Sequence, residues 1–234
     1  MTVNMETGSV GRWMLVSGIA ASALLVTWFV LMFFTAPPGF IVEQLAKLAE
    51  QSALYQWSFV DSSLVSLAFV VMMVILALFV ETGAPKGLLE IIGVVFLAPY
   101  TLLVSIAYAS QFTIFPRLLA EFSAMEKALA KAWYFNNPSS IPYFLDYLGY
   151  AFFAISAFAI APRLIRGRGL QRATGWLLFL TGLTSFIGFI GFAVGNSVIE
   201  MILIVGGVLS LPFAILVAVW GRKLMLVPGS PTKV

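Results

Sequence analysis

Six apolar runs, each long enough to cross a hydrocarbon core of about 30 Å as a helix, take up most of this 234-residue chain. They cover about residues 13–35, 58–80, 88–112, 142–162, 173–194 and 198–220. Backbone polar groups inside lipid must be satisfied within their own segment, so runs of this length without alternation are helices. The reading is an all-α, polytopic membrane helix bundle in a single domain spanning 1–234. Composition agrees: 61% of residues are hydrophobic, 10% are charged, and mean hydropathy is +1.02. A cleaved leader is not expected from the first run, because Phe33-Phe34-Thr35-Ala36-Pro37 lacks a small-x-small cleavage pattern.

The chain has no histidine and no cysteine. Disulfides, thiolate nucleophiles, haem axial histidines and the usual zinc sites are thereby excluded, and no cofactor is expected. No basic stripe is interleaved with exposed aromatics, so nucleic acid is not an expected partner. The lipid bilayer is.

Two amphipathic segments interrupt the spans. After Pro37-Pro38-Gly39, residues 40–55 set Ile41, Leu45, Leu48 and Tyr55 against Glu43, Lys47, Glu50 and Gln51. After Pro116, Leu118, Phe122, Met125, Leu129 and Trp133 form a stripe opposed by Glu121, Lys127 and Lys131. Both read as short helices lying at the membrane surface. A turn at Gly83-Ala84-Pro85-Lys86-Gly87 leads into the third span, which Pro99 is expected to kink.

Charge sets the expected orientation. Nine of the thirteen Lys and Arg residues fall on the side shared by both termini, including Arg12, Lys86, Lys233 and the loop Arg163 to Arg172. The opposite side holds seven acidic residues, among them Asp61, Glu121, Asp146 and Glu200, against Glu6, Glu81 and Glu90 on the basic side. The positive-inside rule places both termini in the cytoplasm and the surface helices outside.

The unit of span, surface helix and span bearing an outer aspartate occurs twice, ending in Phe59-Val60-Asp61 and Phe144-Leu145-Asp146. Asp61 and Glu200 have a simple reading, since Ser58-x-x-Asp61 and Ser197-x-x-Glu200 match capping boxes. Asp146 lies too far past Ser139 and Ser140 to cap, and an acid within a span usually faces the bundle interior or a wet cavity. Tyr143, Asp146, Tyr147 and Tyr150 share one helical face. Thr101, Ser105 and Tyr108, with Gln111 beside them, supply a polar stripe on the third span. The candidate ligand-binding set is therefore Asp146, Tyr147, Tyr150, Tyr108, Gln111 and Asp61, with Trp57 at its edge and the surface helices as a roof. Such a pocket suits a small cationic or amphiphilic ligand.

Small residues stripe the last two spans, Thr184, Gly188, Gly191 and Gly195 on one, and Gly206, Ser210, Ala214 and Ala218 on the other. They predict close packing of these two helices, with a homodimer or a partner membrane subunit as a further use of the same faces. The basic loop with Arg163, Arg166, Arg168 and Arg172 is a topology determinant that also suits anionic headgroups.

The turn and helix start from Trp133 to Gly149, the run Leu145-Asp146-Tyr147-Leu148-Gly149, and the arginine-rich loop followed by Gly175-Trp176-Leu177 resemble a group of small prokaryotic six-span membrane proteins of unknown function. The resemblance implies a six-helix topology in a prokaryotic inner membrane and no particular chemistry. Function then rests on the residues. A binding or transport-type protein with an outward pocket around Asp146 is the first reading, and a structural or accessory subunit is the alternative. A lipid-modifying enzyme is the third, with no metal set or activated nucleophile behind it.

Overall fold

The computed structural model describes residues 7–35, 37–80, 87–120 and 124–226. These form helices α1 (Thr7–Thr35), α2 (Ile41–Glu50), α3 (Ala53–Leu78), α4 (Leu88–Thr113), α5 (Phe115–Ala120), α6 (Ala124–Trp133), α7 (Ile141–Ile165), α8 (Leu170–Ala193), α9 (Ser197–Glu200) and α10 (Ile202–Met225). Six of them, α1, α3, α4, α7, α8 and α10, are long and apolar enough to cross a membrane. The bundle is all-α, as the apolar runs require. Glu6, Glu81, Glu121, Phe122, Lys233, the 83–86 part of the proposed turn and the side chains of Glu126 and Lys127 lie outside the described residues.

Several boundaries differ from the sequence reading. The first surface helix ends at Glu50, and α3 begins at Ala53. Tyr55 therefore belongs to the long helix and is buried in it. The second surface segment is two helices, α5 and α6. Helix α7 continues to Ile165 and α8 starts at Leu170, so Arg163 and Arg172 are helical and the connection between them is only 166–169.

The long helices pack in chain order: α1 on α3, α3 on α4, α4 on α7, α7 on α8, α8 on α10, and α10 back on α1. This is a closed ring, and glycines set its seams. A Cβ on Gly149 of α7 would lie 2.6 Å from Val104 Cγ2 of α4, and one on Gly93 of α4 2.6 Å from Ile160 Cγ1 of α7. Ser156 Oγ donates to the Gly93 carbonyl at 2.6 Å across the same seam. The predicted small-residue stripes are used within the chain. Gly188 and Gly191 of α8 have no room for a Cβ beside Leu203 and Glu200, whereas Ala214 and Ala218 pack against Gly18 of α1.

Buried side chains close the ring's interior at the basic end. Met72, Met73 and Leu76 of α3 are fully buried, and Phe69 meets Phe213 of α10 across the interior with centroids 5.9 Å apart. Arg163 reaches in from α7 at this end. Its Nη2 donates to the carbonyls of Leu76 and Val80, both at 2.9 Å, satisfying acceptors that the end of α3 leaves open. Its Nε lies 3.5 Å from Glu90 Oε1, and Glu90 Oε2 accepts from the Gly87 N–H at 2.7 Å. Arg163 is thus a buried clasp between α3, α4 and α7. The expectation that it begins the basic loop is corrected: only Arg166, Arg168 and Arg172 of that group are outside the core.

At the other end α2, α5 and α6 pack on one another. Tyr134, fully buried after α6, stacks on Phe115 and donates to Gln44 Oε1 of α2 at 2.8 Å. Burial pushes the Tyr134 hydroxyl above its ordinary range, so it stays a donor.

Candidate functional site

Between the apolar plug and this roof the ring encloses a cavity of about 360 Å³. All six long helices line it. On α3 its wall runs from Tyr55 to Phe69, fourteen positions apart, which at 1.5 Å per residue is roughly 20 Å of depth. The cavity is therefore a tube along the bundle axis.

The start of α7 places the carboxyl at the tube's upper wall. Asn137 Oδ1 accepts from the Ser139 N–H at 3.2 Å and Asn137 Nδ2 donates to the Lys131 carbonyl at 2.8 Å, fixing the turn. Ser140 caps the helix, its Oγ accepting from the Tyr143 N–H at 3.3 Å, and Pro142 sits where no N–H is needed. Asp146 follows more than a turn later, so capping does not account for it. It lines the cavity, is only 5% exposed, and its Oδ1 has no hydrogen-bond partner among the described residues. A buried carboxyl oxygen without a partner costs free energy, and such exceptions call for an explanation.

Tyrosines surround it. Tyr143, Tyr147 and Tyr150 of α7 and Tyr100 and Tyr108 of α4 all face the cavity. Tyr143 OH donates to Glu200 Oε1 at the start of the last span, and its oxygen lies 3.3 Å from Tyr147 OH, so that Tyr147 is the donor within that pair. Tyr108 OH and Tyr150 OH are 3.3 Å apart.

Where the hydroxyl protons go decides the character of the lumen. Ser58, Ser62 and Ser66 form a row on α3, each donating to a carbonyl of its own helix at 2.7, 2.8 and 3.0 Å. Thr181 and Ser185 of α8 and Ser210 of α10 do the same at 2.8, 2.8 and 2.9 Å. Their protons are committed to backbone, and what they offer inward is lone pairs. With one carboxyl and no Lys or Arg among the lining residues, the tube is rich in acceptors. It suits a guest that is positively charged or rich in donors.

Of the six residues proposed from sequence, Asp146, Tyr147, Tyr150 and Tyr108 come together in the cavity wall. Gln111 does not. It is fully buried in the roof, where Oε1 accepts from Tyr55 OH at 2.6 Å and the Phe135 N–H at 3.1 Å, and Nε2 donates to the Trp133 carbonyl at 3.0 Å and Ser110 Oγ at 2.7 Å. It holds the loop after α6, and Phe135 and Asn136 of that loop, rather than the amphipathic helices, cover the cavity. Gln111→Leu is expected to lower stability by about 2 kcal/mol, the cost of leaving buried donors unsatisfied. Thermal unfolding in detergent with and without the substitution checks this.

Asp61 is also outside the cavity wall. Helix α3 starts earlier than expected, so Ser58 lies in its second turn and bonds Tyr55, and Asp61 caps nothing. It is buried about 60° around α3 from Ser58, with Oδ2 unpartnered among the described residues. Glu200 is likewise not a cap: Asn196 fills that role, accepting from the Val198 and Ile199 N–H groups. Trp57, expected at the edge of the pocket, is 64% exposed and is not part of its lining. Sequence reasoning missed Tyr100, the serine row and Trp28 of α1, although Ser58, Ser62 and Ser66 recur every four residues. Among the described residues no three acidic side chains gather as a metal site would need.

Compared with protein-family models, curated proteins and solved structures, the chain matches none.

Proposed function

We propose that this chain is a non-enzymatic binding or transport-type membrane protein whose lumen takes up a small cationic amphiphile. Asp146 is the counter-charge, and Tyr108, Tyr147 and Tyr150 flank the cationic group, where aromatic faces add attraction. The observation that carries the reading is the unpartnered carboxyl oxygen of Asp146 in the wall of a 360 Å³ acceptor-rich cavity. The volume lies within the range of small-molecule pockets, about 300–1,000 Å³. In this reading the basic end, with Arg12, Arg166, Arg168, Arg172 and Arg222, is cytoplasmic, and the roof faces outward from a prokaryotic inner membrane.

The test uses the protein in lipid nanodiscs with dodecyltrimethylammonium as probe and laurate as the anionic control. Wild type binds the cation and not the anion. Asp146→Asn weakens cation binding by about 10- to 100-fold, the equivalent of 1.4–2.8 kcal/mol. Its thermal midpoint holds or rises, because a buried carboxylate with one oxygen unpartnered among the described residues has been removed. Unchanged binding with lowered stability would instead make Asp146 a structural carboxyl in an accessory subunit.

A further inference from the structure

The tube has a side as well as a roof. Helix α10 and the short α9 before it are held tightly to α8 near the roof, where a Cβ on Gly188 would lie 2.7 Å from Leu203 Cβ and one on Gly191 would overlap the Glu200 nitrogen. Helix α10 is held tightly to α1 at the opposite end, where a Cβ on Gly11 would lie 2.7 Å from the Gly221 carbonyl oxygen and one on Gly18 2.7 Å from the Ala218 nitrogen. Toward the roof the seam between α1 and α10 changes character. Trp28 and Met32 of α1 and Ile204 and Gly207 of α10 all line the cavity, yet Met32 is 38% and Ile204 53% exposed to the surroundings. Residues that belong to the cavity wall and to the outer surface at once mark its rim. Among the described residues a Cβ on Gly207 would meet nothing within 4 Å, so the rim is open at that point.

The depth of this rim determines what lies outside it. Ile204 and Gly207 are seven and ten residues beyond Ser197, the first residue of the last span. At 1.5 Å per residue they sit roughly 10 and 15 Å into that span, where the surroundings of a membrane helix are acyl chains. The rim residues are apolar or glycine, whereas the acceptors stand elsewhere on the wall, on α3, α7 and α8 and at Ser210 of α10.

We propose that the roof-end seam between α1 and α10 is a lateral entrance through which a single-chain cationic amphiphile passes from the bilayer into the lumen. The chain enters past Met32, Ile204 and Gly207 and lies along the tube, and the cationic head moves to Asp146. This rests on the reading of the lumen as a cavity for a cationic amphiphile and adds the route by which that ligand enters. Small glycine and flexible methionine at the rim allow passage without disturbing the two tight seams.

Two cations separate the routes. Dodecyltrimethylammonium partitions into the bilayer, whereas tetraethylammonium reaches the protein from water. Association rates of both are followed in proteoliposomes by stopped-flow tryptophan fluorescence, with Trp28→Phe to identify the cavity signal. Gly207→Leu, which adds a side chain at the open rim, is expected to slow the long cation at least tenfold relative to tetraethylammonium. Ile204→Ala, which enlarges the same gap, is expected to speed it severalfold, and keeps the test valid if the leucine variant misfolds. If wild type binds both cations and the ratio of their rates stays constant in both variants, the lateral entrance is overturned and the lumen reading stands. If wild type binds neither cation, both fall.

Discussion

Arg163→Met will lower the free energy of unfolding by about 3–5 kcal/mol, the range for breaking one side of a buried ion pair. The guanidinium is 3% exposed and Glu90 is 6% exposed, so removing the cation strands a carboxylate in the interior. It also releases the carbonyls of Leu76 and Val80, which no other side chain among the described residues reaches as a donor. Because the pair is hydrogen-bonded into three helices, its loss should lower the cooperativity of the whole ring rather than fray one end. The double variant Glu90→Gln, Arg163→Met should recover part of the loss, since no charge is then left buried. Equilibrium unfolding in mixed micelles provides the measurement. A single-variant loss below about 1 kcal/mol would show that the pair is solvated and weak, as exposed pairs are.

Gly18→Val is expected to cost about 3 kcal/mol, at the upper end of overpacking penalties. The added Cβ would lie 2.7 Å from the Ala218 nitrogen and 2.8 Å from the Ala214 carbonyl oxygen, both backbone atoms that no rotamer change can move. Helices α1 and α10 must part to admit it, and the fully buried contacts of Met14, Ala21 and Val217 loosen with them. Gly8→Val on the same helix meets nothing within 4 Å among the described residues and should leave the unfolding midpoint unchanged. If the two variants behave alike, the seam is not tight and the ring is not closed by these helices.

How much of this is legible in the chain follows from what periodicity reports. Runs of apolar residues reveal helices, and their spacing reveals which side chains share a face. The common face of Asp146, Tyr147 and Tyr150 is therefore readable from the order of residues alone, and Tyr108 can be matched to it from a separate helix. Periodicity does not say which neighbour a face meets. Gln111 is polar and close to Tyr108, yet it turns to Tyr55 and the loop at Phe135 because the roof leaves backbone groups there that need it. Arg163 reads as a loop charge because arginines cluster after it, but the open carbonyls that hold it belong to the end of a helix more than eighty residues earlier. Ser58 reads as a cap because Tyr55 fits the apolar face of the preceding surface helix. The chain breaks at residues 51 and 52 instead, and the serine becomes the first of an inward row.

The pairing of α1 with α10 has a consequence for biogenesis. Of the six spans, the earliest and the latest to be synthesised are the ones that complete the enclosure, so none of the intermediate stages contains a lumen. Until the sixth segment is inserted, the serine row and Asp146 have no wall opposite them on that side. A nascent chain stalled before residue 197 therefore leaves one side of the hydroxyls and the acid uncovered, and the sixth span completes their shelter.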